Sequence, residues 1–196
     1  MASLNSIKFR KKVLEASGGP STRRSAVGLA EKRFDKAKSE MLAEFNNHPV
    51  TIEIQSGPNG ENISNSLGGR GNLFSFIGFP EGEDPIAAVR EHLEEKTRLR
   101  KNPHFNDKTK TFIFRVETPS LNSVEKHSPS PWEPRSWVRG IESGISGLGF
   151  YISSKIKQFK GSRSGTAIQS EKQISKSAYK AIKYMSEIIR NFRRKL

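Results

Sequence analysis

PWEPRSWVRGIESGISGLGFYISSKIKQFKGSRSGTAIQ, residues 131–169, is the stretch on which the reading of the fold turns. Both tryptophans, Trp132 and Trp137, lie in it, followed by six glycines between Gly140 and Gly165 and the turn Ser162-Arg163-Ser164-Gly165. A tryptophan is costly to leave in water, and glycine serves where a backbone takes φ > 0 or lets another chain approach closely. Two readings follow: a core tryptophan beside a long surface loop, or a surface shaped to meet a neighbour. The run from Ser143 to Gly149 carries almost no charge, which favours the second, because such a loop is better covered than bare. Within the stretch, Ser136 to Glu142 is expected to be a strand. Trp137, Arg139 and Ile141 then point one way and Val138, Gly140 and Glu142 the other. A further strand is expected from Leu148 to Ser153.

Outward from it, Thr111 to Glu117 alternates as a strand does, and the segment from Ser136 to Glu142 is its expected partner. Leu73 to Phe79 is the most apolar run and reads as a central strand. Val50, Ile52 and Ile54 alternate with polar residues as one buried face of another. Three segments carry helical periodicity. From Thr22 to Asn46, Val27, Ala30, Phe34, Ala37, Met41 and Phe45 form a stripe that Asn46-Asn47-His48-Pro49 stops. Asp84-Pro85 opens a second helix with Ile86, Val89 and Leu93 on one face, and Asn102-Pro103 closes it. From Glu171 to Phe192, Ile174, Ala178, Ala181, Met185, Ile188 and Phe192 form a third stripe. The expected fold class is therefore α+β: a small, mainly antiparallel sheet packed with long N-terminal and C-terminal amphipathic helices, plus extended arms and loops. The organisation is a basic arm over residues 1–20 and one domain over 21–196, with a glycine-rich loop region at 140–169 and a basic helix at 171–194.

Only 33% of the 196 residues are hydrophobic against 28% charged, with a mean hydropathy of −0.65, so the compact part is expected to be smaller than the chain. No run approaches the ~18 apolar residues that span a bilayer, and Met1 to Gly19 lacks the apolar centre of a secretory signal. With no cysteine there is no disulfide, thiolate nucleophile or thiolate metal site. The formal charge of +14 belongs to the ends. Residues 1–40 carry ten Lys/Arg against four acids, and residues 155–196 twelve against two. Such segments fit nucleic acid or an acidic protein surface, against the plainer reading of solvated helix faces. Neither end pairs its cations with a tryptophan-rich apolar face, so no membrane contact is expected.

The chain carries no phosphate-binding glycine-lysine loop, no nucleophile elbow and no His-Glu pair spaced for zinc. His48, His92, His104 and His127 lie far apart and read as structural or exposed. Glu81, Glu83 and Asp84 cluster, but Asp84 is explained as a helix start and the others as solvated. No catalytic residue, metal ligand or cofactor is expected, and the protein is read as not an enzyme.

The segments Asn72-Leu73-Phe74-Ser75-Phe76-Ile77-Gly78-Phe79, Pro131-Trp132-Glu133-Pro134-Arg135-Ser136-Trp137, Gly140-Ile141-Glu142-Ser143-Gly144-Ile145-Ser146-Gly147 and Ser162-Arg163-Ser164-Gly165 together resemble the neck proteins of tailed bacteriophages. The chain is similar in particular to tail-completion proteins, over roughly residues 25–192. That family has a helix packed on a small sheet and a strand ending in glutamate then glycine. The resemblance implies a non-enzymatic virion structural protein, assembled in the host cytoplasm, that forms a homo-oligomeric ring around the DNA passage. Its partners would be itself, other neck, portal or tail proteins, and packaged double-stranded DNA held by non-specific electrostatic contact. Candidate subunit-interface residues are Trp132, Trp137, Arg139, Ile141, Glu142, Gly147 and Arg163. Candidate DNA-facing residues are Lys176, Lys180, Lys183, Arg190, Arg193 and Arg194. The alternative is a free nucleic-acid-binding protein that uses the basic C-terminal helix.

Overall fold

The computed structural model describes residues 3–9, 19–67, 71–131, 133–144 and 181–196, with residues 3–9 and 133–134 as backbone alone. The fold is α+β. Strand β1 (Ser3–Phe9) precedes the 27-residue helix α1 (Pro20–Asn46), which buries Ala30, Phe34, Ala37, Met41 and Phe45 as its periodicity requires. It starts two residues before the stripe suggests, because Gly19 is extended and Pro20 fits a first helical position whose N–H needs no partner. Within the arm expected over residues 1–20, Ser3–Phe9 joins a sheet and Pro20 belongs to the helix.

The next two segments correct the expected strands. His48 is extended, as the residue before a proline should be, but Pro49 then begins helix α2 (Pro49–Gln55), whose first turn is capped by His48 Nδ1 accepting from the Val50 N–H. Val50 and Ile54 are buried one helical turn apart, Ile52 is 37% exposed, and Glu53 is fully buried. Alternation named the wrong face there. A short 3-10 turn, Gly57–Asn59, leads on toward helix α3 (Leu73–Ile77), where a central strand was expected. Asn72 caps it by accepting from the Ser75 N–H, and Gly78, at φ 86°, ends it in the left-handed region. Between those two signals the apolar run is a helix buried on every side.

Helix α4 (Pro85–Lys96) begins as the Asp84-Pro85 pair predicts, with the Asp84 carboxylate accepting from Ile86 and Ala87. It does not run to Asn102-Pro103. Thr97 is extended, Lys38 of α1 donates to the carbonyls of Glu94 and Thr97, and strand β2 (Arg98–Asn106) follows. Pro103 is tolerated there because β2 is an edge strand and its pairing slips between Arg100 and His104.

Strand β3 (Thr111–Thr118) is the centre of an antiparallel sheet of order β1-β3-β2. It turns Phe112, Phe114 and Val116 inward, and Phe112 and Phe114 meet Ala30, Ala26 and Val27 of α1. The later half of α1, from Phe34 to Phe45, enters the main core. Its partner strands are thus β1 and β2 and not residues 136–142. After helix α5 (Leu121–Lys126) and a small pair, β4 (Pro129–Ser130) with β5 (Glu133–Ser136), the Ser136 hydroxyl accepts from the Arg139 N–H and starts helix α6 (Trp137–Ser143). Trp137, Val138 and Ile141 fall on one helical face and enter the core. The expected strand with Trp137, Arg139 and Ile141 on one side is corrected, and with it the strand end at Glu142 that entered the resemblance.

Helix α7 (Met185–Lys195) buries Met185, Ile188, Ile189 and Phe192 against α1, so the later part of the third stripe is helical as read. Residues 181–184 are not helical and Ala181 is exposed. The expected strand at Leu148–Ser153, the glycine-rich loop beyond Gly144 and the helix over 171–180 lie outside the described residues.

Candidate functional site

Helix α7 runs antiparallel to α1. Near one end Phe45 stacks on Tyr184 at 6.0 Å, and near the other Phe34 meets Phe192 edge to face at 6.3 Å. Asn191 donates to Glu44 at 2.6 Å, Lys195 pairs with Glu40 at 2.9 Å, and Arg33 Nε donates to the Lys195 carbonyl at 3.2 Å. The Lys195 ammonium holds the Glu40 carboxyl below its ordinary range, with Lys36 adding to the effect. The apolar stripes face each other, and most cations of the two helices are left at the surface, Lys38 excepted. Lys32, Arg33 and Lys36 of α1 are exposed, as are Arg190, Arg193, Arg194 and Lys195 of α7.

Arg190 is spent partly on Glu187, at 2.7 Å within its own helix. Arg193 and Arg194 enter none of the ion pairs among the described residues. They also sit in the last turn of α7, where cations oppose the negative end of the helix dipole. Of the candidate DNA-facing residues, Lys183, Arg190, Arg193 and Arg194 are exposed, while Lys176 and Lys180 lie outside the described residues. The contribution of Lys32, Arg33 and Lys36 was not legible, because it needs the antiparallel packing of two segments some 150 positions apart.

The candidate interface residues divide differently. Trp137 and Ile141 are each 1% exposed. Trp137 lies between Phe79 at 6.2 Å and Tyr184 at 6.3 Å, inside the chain's own core. Glu142 is tied down too: its carboxylate accepts from the Ser186 N–H at 2.6 Å and so caps α7 from a different helix. Arg139 alone of the four described candidates is exposed. Trp132, Gly147 and Arg163 lie outside the described residues.

Two polar centres were missed. The Glu53 carboxylate, fully buried, accepts from Asn62 Nδ2, the Ser64 N–H and the Leu73 N–H at 2.7–2.8 Å. Asn72 Nδ2 donates to the carbonyls of Gly57, Pro58 and Gly60. Together they fix the connection between α2 and α3 to the core. The second centre joins α4 to α5: the His92 and His127 rings stack at 3.7 Å, His92 Nε2 bonds the Ser123 hydroxyl at 2.7 Å, and His127 Nδ1 donates to the Ser123 carbonyl at 2.9 Å. Burial, then the charge of His127, lowers the His92 pKa from its ordinary value. Both centres read as structural.

Among the described residues no group of three or more His, Asp or Glu is placed to hold a metal ion, and no helix is long and apolar enough to cross a membrane. Comparison of the chain with protein-family models, with curated proteins and with solved structures finds no match in any of the three.

Proposed function

We propose that this chain is a non-enzymatic structural protein of the tailed-phage neck, of the tail-completion or head-tail connection type, and that copies of it form a ring whose cationic α1–α7 face lies toward packaged duplex DNA. The observation that carries the reading is that antiparallel pair, whose two helices come from the two ends of the sequence and leave seven cations exposed. Two packed helices whose exposed side chains carry an excess of cations suit a duplex that must be held without being read, since phosphate contacts supply affinity and no sequence preference. The packing of the first half of α1 on a small sheet agrees with the architecture that the resemblance implies. Assembly as a ring, other neck, portal or tail proteins as partners, and a place in the virion rest on that resemblance.

Duplex binding is the direct test of the cationic face. Titration of labelled double-stranded DNA of unrelated sequences at several salt concentrations is expected to give equal affinities that fall steeply with salt, with a log–log slope of about −0.9 for each phosphate neutralised. Arg190→Gln, Arg193→Gln and Arg194→Gln in one chain should flatten that slope by about 2 to 3 and leave the fold intact, because none of these side chains is buried. An unchanged slope in the triple variant, or marked sequence preference in the wild type, contradicts the assignment.

A further inference from the structure

We infer that the outer face of the β1-β3-β2 sheet docks the acidic loop 80–84 of a second copy of this chain, so that copies join head to tail. The inference rests on the ring reading above and specifies its contact. While β3 turns Phe112, Phe114 and Val116 inward, Ile113, Arg115 and Glu117 face outward, and the register sets Arg98 opposite Glu117, Arg100 opposite Arg115 and His104 opposite Ile113. Like charges directly across a strand pair oppose folding. Arg100 is bridged to Glu117 at 2.6 Å, whereas Arg115 is exposed and enters none of the ion pairs among the described residues. With Arg98 exposed beside them, the described side chains of β2 and β3 on this face carry three guanidinium groups against one carboxylate. It is also shaped: Arg100, His104, Ile113, Arg115 and Glu117 help line a depression of about 730 Å³. Pro103 and the slipped pairing interrupt the β2 edge, which argues for docking by side chains on this face and against strand addition along the edge.

The complementary surface lies on the same chain. Pro80, Glu81, Gly82, Glu83 and Asp84 are all exposed. The Glu83 N–H closes a turn onto the Pro80 carbonyl at 3.2 Å, with Gly82 at φ 84°, so the loop presents its acids on a tight, defined tip. Asp84 is engaged in capping α4, whereas Glu81 and Glu83 enter none of the ion pairs or side-chain hydrogen bonds among the described residues. The 12 residues of α4 separate this loop from the start of β2, a helical length of about 18 Å. A chain therefore carries its acidic tip and its basic face at opposite ends of one rigid element. Two copies satisfy them head to tail, and a heterologous contact of this kind closes into a ring when the rotation between copies allows.

Two opposed charge reversals test the contact. Arg100→Glu with Arg115→Glu forms one variant, and Glu81→Lys with Glu83→Lys the other. Sedimentation of each alone is expected to show assembly weakened about tenfold or more, because acid then meets acid or base meets base. An equimolar mixture should assemble, since each variant's loop then fits the other's sheet, and all four substitutions in one chain should restore self-assembly. Unfolding midpoints report whether each variant is folded, and Arg100→Gln with Arg115→Gln supplies a milder version that should weaken assembly in the same direction. Wild type that assembles while the folded variants match it overturns this contact and leaves the ring intact, as do variants that assemble normally but lose duplex binding. Wild type that remains a monomer at every concentration overturns the contact and the ring together.

Discussion

Trp137→Ala unfolds or severely destabilises the isolated chain, at an expected cost of ~3–5 kcal/mol. The indole is 1% exposed and packs between Phe79 and Tyr184, so its removal opens a cavity where three elements meet: α6, the residues after α3, and the segment that leads into α7. A typical domain is stable by about 5–15 kcal/mol, so the loss approaches the whole margin. Thermal or urea unfolding of the dilute chain reads it directly. A folded, soluble chain with an unchanged midpoint that merely fails to assemble would return Trp137 to a subunit interface and contradict its place in the core.

Glu53→Ala is the second large loss, and its cause is polar. Three donors converge on this carboxylate, two of them backbone N–H groups with no other acceptor among the described residues. Their acceptor is fully buried, so truncation leaves Ser64 and Leu73 with unmet hydrogen bonds and frees the connection that Asn72 otherwise helps to fix. Charge-assisted bonds contribute about 1.5–3 kcal/mol each, and an orphaned buried donor costs about 1–3. A loss of about 3 kcal/mol or more is expected, seen as a lower urea midpoint at unchanged slope and faster hydrogen exchange at the amides of Ser64 and Leu73. A loss below about 1 kcal/mol would mean that water replaces the carboxylate and that the connection is not held by it.

What the sequence disclosed depended on the length of each signal. The stripe from Val27 to Phe45 repeats over many turns, and Asp84-Pro85 is a start signal with a mechanism, so α1 and the opening of α4 were legible. So was β3, whose inward phenylalanines alternate over eight residues. Short apolar runs were not, since four to seven residues fit a strand or a buried helix equally well by periodicity. In each such case the deciding residue stood at an edge of the run or just beyond it: His48-Pro49 before α2, Asn72 and Gly78 around α3, Ser136 before α6. Strand β2 was hidden by Asn102-Pro103, which looked like a helix stop and is instead the interruption of an edge strand. That error also hid the basic sheet face, because Arg100 and Arg115 become neighbours only through the register of two strands. The arginines of α7 were visible as a cluster, but their companions on α1 were not, because antiparallel packing is a property of the fold.

The proposed ring is tested most directly by the mass of the purified chain in solution as its concentration rises, measured by light scattering at moderate salt. A closed head-to-tail assembly predicts a plateau at one integer multiple of 22.0 kDa that higher concentration does not exceed and that high salt dissolves. A mass fixed at 22.0 kDa throughout, or growth without a plateau, contradicts it.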